Sequence, residues 1–252
     1  MLNLKLSLKY NYALPLYRQE NYFKMMNVEL SRQTLSNWVV KASVAFEPFY
    51  KRLKEELLKS SYIQADETVV KVIKEDGKDA KSQKYMWLYK TGASKKPIIL
   101  YDYQKTRSSS CPKNFLKGFR GYLQTDGYEG YNKVENVKWI SCLAHIRRKF
   151  YDIVITLDAE AKKQSRAVIG LNYCTKLYNI EKEIKETYEG QEDYYEKRYE
   201  IRLEKAEPII NEFIKFIEKD LPNAIPEDSL TSILPWSKYL PADLKVRALE
   251  KN

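Results

Sequence analysis

Apolar residues recur at helical spacing through Leu14, Leu16, Phe23 and Met26, pause at Asn27-Val28-Glu29-Leu30, and resume at Leu35, Trp38 and Val39. This period predicts helices over residues 10–60. Ser31 is suited to cap the second one, because its hydroxyl can take a backbone N–H of the first turn. Two short helices joined by a tight turn form a helix-turn-helix candidate. Arg32, Gln33, Thr34, Ser36 and Asn37 then lie at or near the N-terminal end of the second helix, with side chains suited to base edges and phosphates. An ordinary helical hairpin with a polar face fits the same pattern.

Beyond residue 60 the pattern changes to strands. YIQADETVVKVI, KYMWLYKTG and PIILYDYQ are rich in Val, Ile, Tyr and Trp, and each is bounded by Gly, Pro, Lys or Asp. EDGKDAKSQ, between the first two, reads as a hairpin loop with an Asp-Gly turn. SSSCPKNFLKGF predicts a helix with Pro112 in its first turn. GYLQTDGYEGYNKV reads as a strand running into a Gly-rich turn, and VKWISCLAHIRRKF as a strand entering a helix. The predicted order is strand, strand, strand, helix, strand, helix, strand, helix, which gives an α/β mixed sheet with helices on its faces.

Residues 151–220 are helical and strongly charged. Leu177, Ile180 and Ile184, then Ile209, Ile210, Phe213 and Ile217, keep helical spacing, and Gly190 marks a turn between two long antiparallel helices. From Leu221 the chain is Pro-rich and reads as a loosely attached tail. The divisions are 1–60, a helical DNA-binding region; 61–150, the sheet core; 151–220, a helical hairpin; and 221–252, the tail.

A formal charge of +10 favours a polyanionic partner or simply aids solubility. Three cysteines with no close pair argue against a disulfide framework. No stretch is apolar enough to serve as a signal peptide or to span a bilayer, so the expected location is the cytoplasm, with no membrane partner.

Two acidic positions stand out. Asp66 interrupts an apolar strand, where a buried carboxylate is costly unless paired or metal-bound. Asp126 closes another strand before Gly127. On adjacent strands the two could share Mg²⁺ or Mn²⁺, which prefer oxygen ligands; each could equally cap a strand or a turn. Glu67 should point to the opposite face from Asp66. Asp102 could occupy the neighbouring strand. Both Glu67 and Asp102 read best as solvent-facing. His145, the one histidine, forms C-x-x-H with Cys142, which supplies too few ligands for zinc. It could contact phosphate, organise a metal site or cap a helix start. Arg147, Arg148 and Lys149 follow it as a possible phosphate-binding cluster or a solvated helix face.

Six strings together resemble the insertion-sequence-66 family of transposases: PLYRQE, LSRQTLSNW, YIQADET, YMWLY, FLKGFRGYLQTDGYEGYNKVE and CLAHIRRKF. The resemblance covers roughly residues 10–220. It implies a DDE-type catalytic core of ribonuclease H-like fold, an N-terminal helix-turn-helix and a helical insertion over 151–220. Asp66 matches the first catalytic Asp, Asp126 the second, and Cys142 with His145 the C-x-x-H element. The implied cofactor is Mg²⁺ or Mn²⁺ in a two-metal site, and the implied partner is double-stranded DNA at the element's terminal repeats.

The family pattern is departed from twice. Its coiled-coil and Cys-rich segments are absent, and no Asn-Asn-x-x-Glu-Arg string supplies the third acid. The string SILPWSKYLP resembles the family's C-terminal element, so an internal deletion is the simplest account. The expected function is that of a bacterial-type, nucleoid-associated transposase or remnant, alone or in homo- or hetero-oligomers with the full-length enzyme. Other readings are a catalytically inactive DNA-binding inhibitor, a nuclease on the same fold, or a decayed product with an uncovered apolar sheet face.

Overall fold

The computed structural model describes residues 2–72, 83–92 and 96–220. The expected hairpin loop EDGKDAKSQ lies almost wholly outside these residues, as do the expected tail and its SILPWSKYLP string. The chain forms two compact units, Met1–Glu56 and Leu57–Asn252.

The first unit contains α1 (Leu2–Tyr10), α2 (Leu16–Met25) and most of α3 (Arg32–Leu58). Its turn between α2 and α3 is tight because Asn27 takes a left-handed φ of +58°, which asparagine tolerates, and Val28 N–H reaches back to the Phe23 carbonyl at 2.9 Å. Ser31 caps α3 as expected, accepting Thr34 N–H at 3.2 Å. Glu20 of α2 takes Arg32 N–H at 2.9 Å and pairs with its guanidinium at 3.6 Å. Phe23, Leu35 and Ala42 are buried. The expectation of two short helices is corrected here: α3 runs for 27 residues and carries Pro48 within it. Its apolar positions continue past Val39 through Val40, Val44, Phe46 and Phe49, all exposed, so the helix does not end where the motif would.

The second unit is a mixed α/β structure around one five-stranded sheet. The strands are β1 (Tyr62–Lys71), β2 (Gln83–Thr91), β3 (Ile99–Gln104), β4 (Gly121–Thr125) and β5 (Val137–Ser141), in the order β3-β2-β1-β4-β5. Strands β1, β2 and β3 pair antiparallel, whereas β4 lies parallel to β1 and β5 parallel to β4. The sheet is therefore half meander and half crossover. The crossover from β3 to β4 runs through α4 (Ser110–Phe115). No α-helix separates β4 from β5, contrary to the predicted alternation; a 3₁₀ turn, Glu129–Lys133, fills that connection.

Aromatic packing fixes α4 and the 3₁₀ turn against one sheet face. Tyr89 stacks on Phe115 with centroids 3.7 Å apart, and Trp87 meets Tyr131 edge-on at 5.5 Å. After β5 the chain turns at Cys142 into α5 (Leu143–Val154) and α6 (Ala159–Gln164). The long α7 (Arg166–Tyr188) follows, and the chain reverses near Gly190. It returns as α8 (Tyr194–Ile201), a π-helical turn (Arg202–Ala206) and α9 (Glu207–Asp220). Ile146 and Phe150 of α5 join Cys174 of α7 and Phe213, Phe216 and Ile217 of α9 in one buried cluster. Leu177, Ile180 and Ile184 pack with Ala206 and Ile210 in another. Between these helices Glu181 takes Arg202 Nε at 2.5 Å and Arg198 Nη2 at 2.8 Å. Among the described residues no helix is long and apolar enough to cross a membrane.

Candidate functional site

Parallel pairing sets Tyr62 against Tyr122, Ile63 against Leu123 and Gln64 against Gln124. Side chains alternate along each strand, so Tyr62, Gln64 and Asp66 share a face of β1. The same face of β4 carries Tyr122 and Gln124, with Asp126 next in register just past the strand's end. Polar contacts support this register: Gln124 Oε1 accepts from Tyr62 Oη at 2.6 Å and from Gln64 Nε2 at 2.7 Å. Beyond this bonded layer come the two aspartates.

Gly127 adopts a φ of +83°, the left-handed region that glycine enters without penalty, and so turns the chain away after Asp126. Asp126 Oδ1 takes Tyr128 N–H at 3.0 Å, which fixes the turn, and Oδ2 stands 4.0 Å from Arg107 Nη2. The Asp66 side chain is half exposed, so the desolvation cost expected for a carboxylate inside an apolar strand does not arise. A shallow cavity of about 180 Å³ opens beside it, lined by Asp66, Thr68, Met86, Leu88 and Tyr101 among others.

Strand β5 ends at Ser141, and Cys142 N–H bonds to the Thr125 carbonyl at 3.1 Å. That bond sets the start of α5 beside the end of β4. His145 thereby places Nε2 3.8 Å from Asp66 Oδ2, and its field also includes Asp126. Its interaction with the Cys142 thiol, and then the two carboxylates, raise its pKa above the ordinary histidine value against the opposing effect of burial. For Cys142 burial disfavours the thiolate, but hydrogen bonds and charge from His145 outweigh it and leave the thiol more acidic than usual.

The Arg147-Arg148-Lys149 run does not form a single patch. Consecutive helical residues diverge by about 100° around the axis. Arg147 turns back onto Tyr151 and Tyr178, 5.8 and 5.9 Å from their rings, and Arg148 is exposed. Lys149 is half-buried, with its pKa lowered by burial despite the attraction of Asp126. In the first unit, Arg32, Gln33 and Asn37 are exposed; Gln33 Nε2 donates to Asn37 Oδ1 at 3.0 Å, whereas the Thr34 hydroxyl is engaged with Ser31 at 3.0 Å.

Glu67 overturns its expected role. It does face away from Asp66, but its side chain is 1% exposed, not solvent-facing. It accepts Tyr131 Oη at 2.7 Å and Arg107 Nε at 2.8 Å. Burial, the largest influence, raises its pKa; the bonds from Tyr131 and Arg107 oppose that rise. Asp102 is half-buried and accepts Gln104 Nε2 at 2.8 Å. It sits on β3, separated from β1 by β2, rather than on the neighbouring strand. Arg107 and Tyr131 carried no sequence signal as site residues. The alternation of β1 did hold a clue to Glu67, which shares its face with Ile63 and Ala65, both buried.

The donors on the Asp66 face are carboxylate oxygens, which suit a hard divalent cation in kind. They fall short in number: among the described residues no three His, Cys, Asp or Glu side chains gather closely enough to hold a metal ion.

Comparison with known proteins gives a family. The model described as "Transposase IS66 family" matches residues 1–240. Two proteins of Sinorhizobium fredii, the uncharacterized proteins y4qI and y4hP, are 28% identical over 228 residues and 24% identical over 231. Each alignment covers 84% of this chain and 40% of the relative, so the chain spans well under half the length of these curated proteins. No solved structure matches the chain.

Proposed function

The chain belongs to the IS66 transposase family, and from that premise we propose that it acts on DNA through a ribonuclease H-like core in which Asp66 and Asp126 are two of the metal-binding carboxylates. One observation carries the reading: the parallel register of β1 and β4, continued two residues past Gln64 and Gln124, brings Asp66 level with Asp126, on the sheet face that His145 approaches. The strand order β3-β2-β1-β4-β5, with β2 and β3 antiparallel to their neighbours and the rest parallel, supports the fold reading. The capped turn between α2 and α3 supports a helix-turn-helix that meets DNA through Arg32, Gln33 and Asn37. On this reading residues 1–60 bind DNA, 61–150 hold the chemistry and 151–220 form an insertion, in a cytoplasmic protein.

A Mg²⁺ or Mn²⁺ ion bound by Asp66 and Asp126 would supply Lewis acidity at phosphorus and a more acidic attacking hydroxyl or water. The protein's own part is positional. The Gln64–Gln124–Tyr62 layer holds the two strands in register, the Gly127 turn presents Asp126, and His145 steadies Asp66. The third acid found in the family has no counterpart beside them among the described residues.

Manganese titration followed by electron paramagnetic resonance tests the metal assignment. Weak binding is expected in the wild type and none after Asp66→Asn with Asp126→Asn; equal binding by both proteins rejects it. With a labelled terminal-repeat duplex and Mn²⁺, little or no joining of 3′ ends is expected from this chain alone. The shortage of ligands favours a second reading, a DNA-binding protein without catalysis. It predicts that the same double substitution leaves duplex binding unchanged.

A further inference from the structure

We infer that Arg107 is a phosphate-binding residue, whose guanidinium takes a backbone phosphate of DNA at the Asp126 side of the site. The inference rests on the DNA-processing reading above and adds a contact to it.

Arg107 lies in the connection between β3 and α4, and three neighbours fix its side chain. Glu67 accepts from Nε at 2.8 Å and also from Nη2. Tyr131 holds the other Glu67 oxygen at 2.7 Å, so the anchoring carboxylate cannot swing. The guanidinium lies on the Tyr128 ring, 3.9 Å from its centroid, and the Tyr128 hydroxyl returns to the Arg107 carbonyl at 2.5 Å. Both the head and the backbone of the arginine are thus clamped.

The clamp leaves donors over. A guanidinium has five N–H groups in a plane, and Glu67 engages those of one edge. Asp126 Oδ2, 4.0 Å from Nη2, is too distant for a hydrogen bond. The side chain is 41% exposed although its anchor is almost fully buried. Enclosing the remaining N–H groups without partners would be costly, so they stay hydrated and can exchange water for another acceptor. Nη2, shared with Glu67, also stands 4.0 Å from Asp126 Oδ2, so the partly exposed guanidinium lies beside Asp126.

The remaining edge suits a phosphate. Planar paired donors match phosphate oxygens bidentately, and a side chain already immobilised by an acid and a ring loses little entropy on binding. The position suits it as well. Any phosphodiester brought to the Asp66–Asp126 face meets two carboxylates that repel it, and Arg107, 4.0 Å from Asp126, joins Lys149 in offsetting that charge. Adjacent residues of one strand then divide the labour: Asp66 faces the chemistry and Glu67 holds the cation beside it.

The test is the salt dependence of duplex binding by the full chain in Mg²⁺, read by fluorescence anisotropy over a KCl series. Each phosphate contact contributes roughly 0.9 to the slope of log affinity against log salt. Arg107→Gln should make the slope shallower by about that amount, and Arg107→Lys should restore it. Lys162→Gln, an equal charge change at an exposed position of α6, should leave it unchanged. Should Arg107→Gln fold poorly because Glu67 is left buried and unpaired, Glu67→Gln with Arg107→Gln removes both charges and must show the same loss. A wild-type slope in either folded variant overturns the inference and leaves the transposase reading standing. Failure of the wild type to bind duplex at any salt overturns both.

Discussion

The Tyr131 hydroxyl donates to Glu67 across 2.7 Å, and this bond ties the turn after β4 to the strand that carries Asp66. Both side chains are almost fully buried, so nothing from solvent can replace the contact. Tyr131→Phe keeps the ring against Trp87 and removes only the hydroxyl. A hydrogen bond to a buried charged group is worth about 1.5–3 kcal/mol, and the substitution should lower the unfolding free energy by that amount in urea titration. A loss below about 0.5 kcal/mol would mean that Arg107 alone satisfies the carboxylate.

Cysteine chemistry should separate the three thiols. Cys142 is half-exposed and made more acidic by His145, whereas Cys174 is buried with its pKa pushed up to about 12 by that burial, and Cys111 is buried. Since the thiolate is the nucleophile, iodoacetamide at neutral pH should label Cys142 first. His145→Ala should slow that labelling several-fold. Peptide mass spectrometry reads both outcomes, and preferential labelling of Cys174 would contradict the described burial.

Acid should loosen the helical region before it would affect an uncharged bundle. Burial disfavours the Glu181 carboxylate, but Arg202 and Arg198 outweigh it and hold the pKa below the ordinary glutamate value. A depressed acid contributes stability above its unfolded pKa and loses it as pH falls through the folded one. Helical stability should therefore decline below the usual carboxylate range, and Glu181→Gln should flatten that decline. Thermal melts followed by circular dichroism across acid pH measure it; parallel curves for both proteins would refute the assignment.

A single methyl group at Gly121 should disturb the site from a distance. A Cβ there would stand 2.4 Å from the Ser61 carbonyl oxygen, which is backbone and cannot rotate away. That carbonyl also accepts Tyr122 N–H at 2.9 Å, at the first rung of the β1–β4 pairing. Gly121→Ala should cost about 1–3 kcal/mol, as overpacking does elsewhere, and should also weaken Mn²⁺ binding through shifted aspartates. Wild-type stability and metal affinity would show that the strands part without consequence.

Much of this architecture was legible in the sequence, and the limits are physical. The strands announced themselves through β-branched and aromatic residues, and Asp126 through the Gly127 that turns the chain beside it. Ser31 was legible as a cap because capping is local. The length of α3 was not, since the apolar period alone did not show that the helix begun at Arg32 would run unbroken through Pro48 to Leu58. Arg107 sits in a polar stretch, Thr106 to Ser110, that looks like any loop; its importance comes from Glu67, forty positions earlier and brought close only by the folded sheet. The different surroundings of Arg147, Arg148 and Lys149 were hidden for the opposite reason: neighbours in sequence diverge around a helix.

The alternation of Asp66 and Glu67 has a consequence for how the gene can vary. Strand periodicity is two, so inserting or removing one residue within β1 would exchange the two acids between the faces of the sheet. The half-exposed carboxylate beside His145 would enter an aromatic interior, and the arginine's counterion would be turned outward. Point substitutions at Thr68 and Val69, exposed positions of β1, should be borne far more readily than any such change of length.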